Sequence, residues 1–203
     1  MSFSSLVSPD LNSQQKTTLR RSWALLETDK EDVAVKIFIL IFEQCPQTKQ
    51  LFQFSSRPLS PDQDLVKELK KSKEFRFHAL RFIQIIQNAV EMMDDFEALE
   101  PVLTNLGQMH ARFQETRGFD PSYWHVFVEC TIFTFRKYLS SKTKTFGQDK
   151  LDEAITAWRG LLLAVVRDMN IGYQNGVDKR LVSRSNSRAQ AHKPSDTFSV
   201  QTL

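Results

Sequence analysis

The strongest constraint on this chain is a helical period sustained around two histidines. Phe75, His78, Phe82, Ile85, Ile86 and Ala89 recur at i, i+3, i+4, i+7 spacing, and Leu99, Val102, Leu103, Leu106, His110 and Phe113 do the same. A stripe of this kind has to be buried, so each imidazole is carried towards an apolar interior. An unpaired buried polar group costs ~1–3 kcal/mol, and the ring therefore needs a partner there. Two imidazoles aimed at one dry gap point to a metal, or a metal-bearing cofactor, between them.

The rest of the chain has the same period. Long periodic stretches with only 6 glycines favour helices over a turn-rich β fold. The expected class is all-α, with about seven to eight helices and no convincing strand. Asn12 suits the N-cap of a first helix that runs to about Thr28 with Leu19, Trp23 and Leu26 inward. A second runs from about Glu31 to Gln44 and is broken at Cys45-Pro46, because a residue before proline avoids the α region. Two prolines and several turn formers make residues 55–66 a loop. The His78 helix covers roughly Lys71 to Met93. Asp94 and Glu97 resemble a capping box at the next corner, and Pro101 suits the first turn of the His110 helix. Asp120-Pro121 opens a helix to about Leu139, and a last one covers about Gln148 to Tyr173. The expected organisation is a flexible tail over 1–10, one helical domain over 11–175, and a disordered, basic, Ser-rich tail over 176–203.

The net charge of +3 is local. From Asp178 onward, Lys179, Arg180, Arg184, Arg188 and Lys193 outweigh Asp178 and Asp196, and this accounts for the whole excess. A neutral body without a basic face argues against nucleic-acid binding. Ser183, Ser185 and Ser187 lie among these arginines and mark the tail as a candidate for contact with a kinase or another protein. The longest apolar run, Ile37 to Phe42, falls far short of the ~20 residues of a membrane span. The start, Met-Ser-Phe-Ser-Ser, has neither the basic patch nor the apolar stretch of a signal peptide, and Ser2 is not a myristoylation site. Cys45 and Cys130 stand alone and read as free thiols of a reducing, cytoplasmic setting.

His78 and His110 are 32 positions apart in sequence, which one straight helix would stretch to about 48 Å. The corner at Asp94 lies midway, so a chain going out and back over equal lengths can oppose them. The count is compatible with that arrangement, and core histidines bonded to carbonyls remain the alternative reading. His125 shares a polar face with Glu129 and Arg136, and His192 lies in the tail, so neither joins the pair. Phosphate-binding glycine loops, the zinc-protease motif and the serine-hydrolase elbow are all missing from the sequence. Cys130 faces inward among Phe127 and Thr134. No catalytic constellation remains, and a non-enzymatic role is expected. Trp124 and His125 are candidates for a contact surface, from which no oligomeric state follows.

Taken in order, Leu19-Arg20-Arg21-Ser22-Trp23, Ile37-Phe38, Phe42, Pro46, Leu51-Phe52, His78, His110 and Trp158 resemble a globin, specifically the nematode and neuroglobin-like animal globins. The resemblance covers about residues 11–173, and Leu106-Gly107-Gln108-Met109-His110 is similar to the segment leading into the family's proximal histidine. It implies the globin fold, a 3-on-3 helical sandwich, and haem b as cofactor. It further implies His110 as the proximal iron ligand and His78 as the distal histidine, a candidate sixth ligand. Phe52 would wedge against the porphyrin, Phe38 and Phe82 would line the distal side, and Leu106 would pack beneath the ring. Arg81 is a candidate partner for a propionate. Two positions depart from the pattern. Phe38 replaces the tyrosine of many invertebrate globins, removing a hydroxyl donor, and Phe82 is bulkier than the usual valine or leucine.

Two functions use the same residues. In the first, haem held on His110 reversibly binds dioxygen or another diatomic gas, with His78 donating a hydrogen bond, for transport, storage or sensing. In the second, His78 itself ligates the iron, and a six-coordinate bis-histidyl haem serves electron transfer or redox signalling.

Overall fold

The computed structural model describes residues 9–52, 65–142 and 146–191. These contain seven α-helices and no strand: α1 (Ser13–Leu26), α2 (Lys30–Gln44), α3 (Leu65–Lys71), α4 (Lys73–Glu91), α5 (Glu100–Arg117), α6 (Tyr123–Ser140) and α7 (Asp149–Ala191). Short 3₁₀ turns at Glu27–Asp29, Pro46–Leu51 and Phe96–Leu99 join them. Most of the expected loop at 55–66 lies outside the described residues.

Local chemistry sets the boundaries. Asn12 and Gln15 form a capping box at α1, each side chain accepting from the other's backbone N–H at 2.9 Å. Cys45, with φ −138° and ψ 78°, ends α2 one residue before Pro46. Ser72 caps α4 by accepting from the Phe75 N–H at 3.2 Å. Gly118 closes α5 in the left-handed region at φ 69° and ψ 34°, a conformation glycine adopts without a Cβ clash.

The largest fully buried side chain is Trp158 on α7. Its ring lies against Phe135 of α6 at 4.8 Å and Trp23 of α1 at 6.2 Å, and its indole N–H donates to Ser22 Oγ at 2.9 Å. The one polar atom of the indole is thereby satisfied inside the core. Around this centre α2 packs on α4 and α6, α1 and α6 pack on α7, and α5 lies along α7. The all-α expectation holds, and no helix among the described residues is long and apolar enough to cross a membrane.

Three expectations need correction. Asp94 does not cap the corner before α5. Its carboxylate accepts from Lys16 at 2.9 Å and Arg20 at 2.6 Å on α1, and this pairing holds its pKa below the usual carboxylate value. Asp120 Oδ1 accepts from the Ser122 N–H at 2.8 Å, but α6 itself begins at Tyr123. The segment after Gly176, expected to be disordered, is helical to Ala191. Tyr173 and Val177 pack into an apolar cluster, and Arg184 pairs with Glu115 of α5 at 2.8 Å. These contacts outweigh two mid-helix glycines, each costing ~1 kcal/mol relative to alanine. Residues 192–203 and 1–8 lie outside the described residues.

Candidate functional site

The two histidines belong to different apolar clusters. Phe38, Phe52 and Phe82 pack in the larger cluster, whereas Phe113, Phe119 and Trp124 form a smaller one with Ala111 and Tyr173. Val166 and Met169 of α7 pack against both.

His78 stands on α4 against the first group. Its ring centroid is 4.7 Å from Phe52 and 5.1 Å from Phe38, both edge-on. Phe82, one turn on, contacts Phe38 at 5.3 Å and Phe127 of α6 at 4.9 Å. His78 remains open to solvent, yet surrounding protein lowers its pKa to about 4. Desolvation is the main cause of the shift, and positive charge on His110 or Arg81 would oppose protonation further. His78 is therefore a neutral imidazole at pH 7, and the two histidines are near enough to sense each other's charge. Among the described residues no hydrogen bond holds its ring.

His110 on α5 is held differently. Its Nδ1 donates to the Leu106 carbonyl at 2.8 Å, since that oxygen can only accept. Nε2 is then the lone-pair nitrogen, the tautomer an iron ligand requires. Burial lowers this pKa as well, so the ring is neutral at pH 7. Phe119 at 4.9 Å, Trp124 at 5.9 Å and Phe113 at 6.2 Å surround it.

The structure thus gathers His78 with Phe38, Phe52 and Phe82, and separately joins His110 to Leu106. Arg81, three residues after His78 on α4, is exposed, with its guanidinium 5.8 Å from the centroid of the exposed Phe77 ring. Sequence reasoning placed Phe113 on the His110 stripe but missed Phe119, and it assigned Trp124 to a contact surface. Trp124 is buried against His110 instead, while His125 is exposed as expected. The spacing Trp124, Val128, Thr131, Phe135 is a helical stripe that could have revealed its direction.

The donor set suits an iron porphyrin. It offers two neutral imidazoles and aromatic walls, with one ring's tautomer fixed by a carbonyl. No group of three or more His, Cys, Asp or Glu that could hold a bare metal ion occurs among the described residues. The Cys130 thiol is buried and pushed up to about 11, mainly by desolvation, which makes it a poor nucleophile.

Globin-related protein glb-13 of Caenorhabditis elegans is 26% identical over 173 residues, covering 84% of this chain and 56% of that protein. This chain thus matches little more than half the length of that relative. A neuroglobin of Tetraodon nigroviridis is 29% identical over 170 residues, with 83% and 97% covered. A solved structure of a hexacoordinated heme protein from an anhydrobiotic tardigrade shares the fold, with a TM-score of 0.63, 20% identity, and 81% of this chain and 96% of that chain covered. The family model for the globins matches residues 35–166, from α2 into α7. On that match this chain belongs to the globin family.

Proposed function

We propose that this globin holds haem b without a covalent link, with His110 as the axial ligand, and reversibly binds dioxygen or another diatomic gas on the His78 side. The observation carrying this reading is the His110 Nδ1 bond to the Leu106 carbonyl, which leaves Nε2 as a pre-oriented donor nitrogen. The haem, when bound, supplies the iron at which a gas coordinates. The sequence has no C-x-x-C-H attachment motif, in keeping with non-covalent haem. The likeness to a neuroglobin and to a hexacoordinated heme protein supports the same class of ligand.

The protein's own residues divide the work. Phe38, Phe52 and Phe82 exclude water from the distal side and crowd it. His78 is the polar group there, with its N–H available to a bound gas. Leu106 orients the proximal imidazole through its carbonyl, and Arg81 is a candidate partner for a propionate at the rim.

A second reading draws on the way His78 is held. Among the described residues its ring meets aromatic edges and has no hydrogen bond, so it can approach the iron itself as a displaceable sixth ligand, which would serve electron transfer or redox signalling. The absorption spectrum of the anaerobic ferrous protein tests both. Sharp split bands that carbon monoxide replaces are expected, indicating internal His78 ligation that yields to a gas. One broad band would remove the bis-histidyl reading and leave an open gas site. A protein that stays colourless with supplied haem, while keeping its helical circular dichroism, would overturn the haem assignment altogether.

A further inference from the structure

Two helices, α5 and α7, approach backbone to backbone on either side of His110 in sequence. A Cβ placed on Gly107 of α5 would fall 2.7 Å from the Tyr173 backbone nitrogen, and nearer still to the Met169 carbonyl oxygen. One placed on Gly172 of α7 would fall 2.7 Å from Thr104 Cα and the Thr104 carbonyl carbon. At Gly176 it would meet Ala111 Cβ at 2.8 Å and Gln108 Cα at 3.2 Å. These pairings advance together along both helices, so α5 and α7 run parallel, backbone on backbone. Three of the 6 glycines in the chain meet here, although glycine inside a helix costs ~1 kcal/mol relative to alanine. Helix formation alone gives no reason for them.

The independent observation is the imidazole bond. The carbonyl that fixes the His110 ring belongs to Leu106, the residue before Gly107, and Ala111 at the Gly176 contact is the residue after His110. Whatever sets the distance of α7 from Gly107 therefore sets the position of the oxygen that orients Nδ1. From the structure we infer that Gly107, Gly172 and Gly176 are positioning residues for the proximal imidazole: they seat α5 on α7 and so set the height and orientation of His110. The helical extension of α7 continues this contact beyond His110, where Arg184 pairs with Glu115. Each of the three glycines acts through His110.

This inference rests on His110 being the axial ligand, and the experiment separates the two claims. The haem-loaded His78→Leu protein, in which His110 is the single axial imidazole, provides the background. Gly172→Ala is added to it, and the iron–histidine stretching band of the ferrous protein is read by resonance Raman, together with the rate of haem loss to an acceptor globin. A shifted band and roughly ten- to hundredfold faster loss are expected, the range typical of perturbing a group that orients a metal ligand. Gly160→Ala is the control, because on the same helix its Cβ would meet only Leu11 Cδ2, at 3.9 Å. It should leave both readouts unchanged. A purely structural glycine would lower the unfolding midpoint without moving the band. An unmoved band and unchanged loss rate in folded Gly172→Ala, or an equal shift in Gly160→Ala, overturns the inference. Should Gly172→Ala fail to fold, Gly176→Ala, whose new methyl meets a side-chain methyl, is read against the same outcomes. A parent protein that takes up no haem defeats the haem reading itself, and this inference with it.

Discussion

The two imidazole-bearing helices are anchored very differently. On α5 the His110 ring is tied to Leu106, the helix end is closed by Gly118, and Arg117 donates to the Leu51 carbonyl at 2.7 Å. Arg184 holds Glu115 from the far side, and α7 lies in backbone contact behind. On α4 the His78 ring rests between aromatic edges and remains open to solvent. The two kinds of contact are of similar worth, ~0.5–1.5 kcal/mol each, but a hydrogen bond fixes the direction of the ring and an aromatic edge does not. The contrast separates a fixed imidazole from an adaptable one; under the proposed haem assignment, such a fold would keep its cofactor on His110 while the His78 side changes partners.

The largest expected effect tests the fixed side. His110→Ala should abolish retention of haem through gel filtration, measured by the ratio of haem to protein absorbance. Retention at the wild-type ratio would reverse the assignment of the two sides. Next, His78→Leu should keep the haem and convert split ferrous bands into one broad band, with faster binding of carbon monoxide after flash photolysis. Loss of haem from this variant would mean that His78 is the principal anchor. Packing should show the same asymmetry without cofactor. Phe119→Ala, which removes a buried ring beside His110, should cost ~3–5 kcal/mol in urea unfolding of the haem-free protein. Phe82→Ala removes a half-buried ring on the distal side and should cost less, about 1–2 kcal/mol. Equal losses would erase the distinction.

The smallest effect concerns the corner between the two helices. The Lys16 and Arg20 bonds hold Asp94 below its usual pKa of 3.8. A carboxyl depressed in the folded state stabilises above its unfolded pKa, and that contribution is lost as pH falls through the folded value. The difference in urea midpoint between wild type and Asp94→Asn should therefore be slight but present at pH 7 and should shrink below pH ~3.8. A difference that grows on acidification would show that another group links α1 to this corner.

What the sequence reveals depends on how locally each feature is determined. The stripes through Phe75, His78 and Phe82, and through Leu103, Leu106 and His110, are written at a spacing of three and four, so both histidine-bearing helices can be read directly. The capping box at Asn12 and the break at Cys45-Pro46 are equally local. Asp94 misleads because its partners, Lys16 and Arg20, lie on a helix remote in sequence. The segment from Gly176 onward misleads for the same reason, and Gly172 and Gly176 show why. Propensity makes them breakers, but the surface they leave bare is filled by the backbone of α5. Trp124 is intermediate, since its stripe is legible whereas its nearness to His110 depends on how α6 packs.

The two thiols offer a further consequence. Cys130, buried on α6 with its thiol pushed up to about 11, stays protonated and out of reach of an alkylating reagent, while Cys45 at the end of α2 is partly exposed. A maleimide fluorophore would thus attach selectively at Cys45 with no cysteine engineering. Sited seven residues ahead of Phe52, such a label would be quenched by energy transfer to any nearby porphyrin, turning the unaltered polypeptide into its own reporter of cofactor arrival and departure.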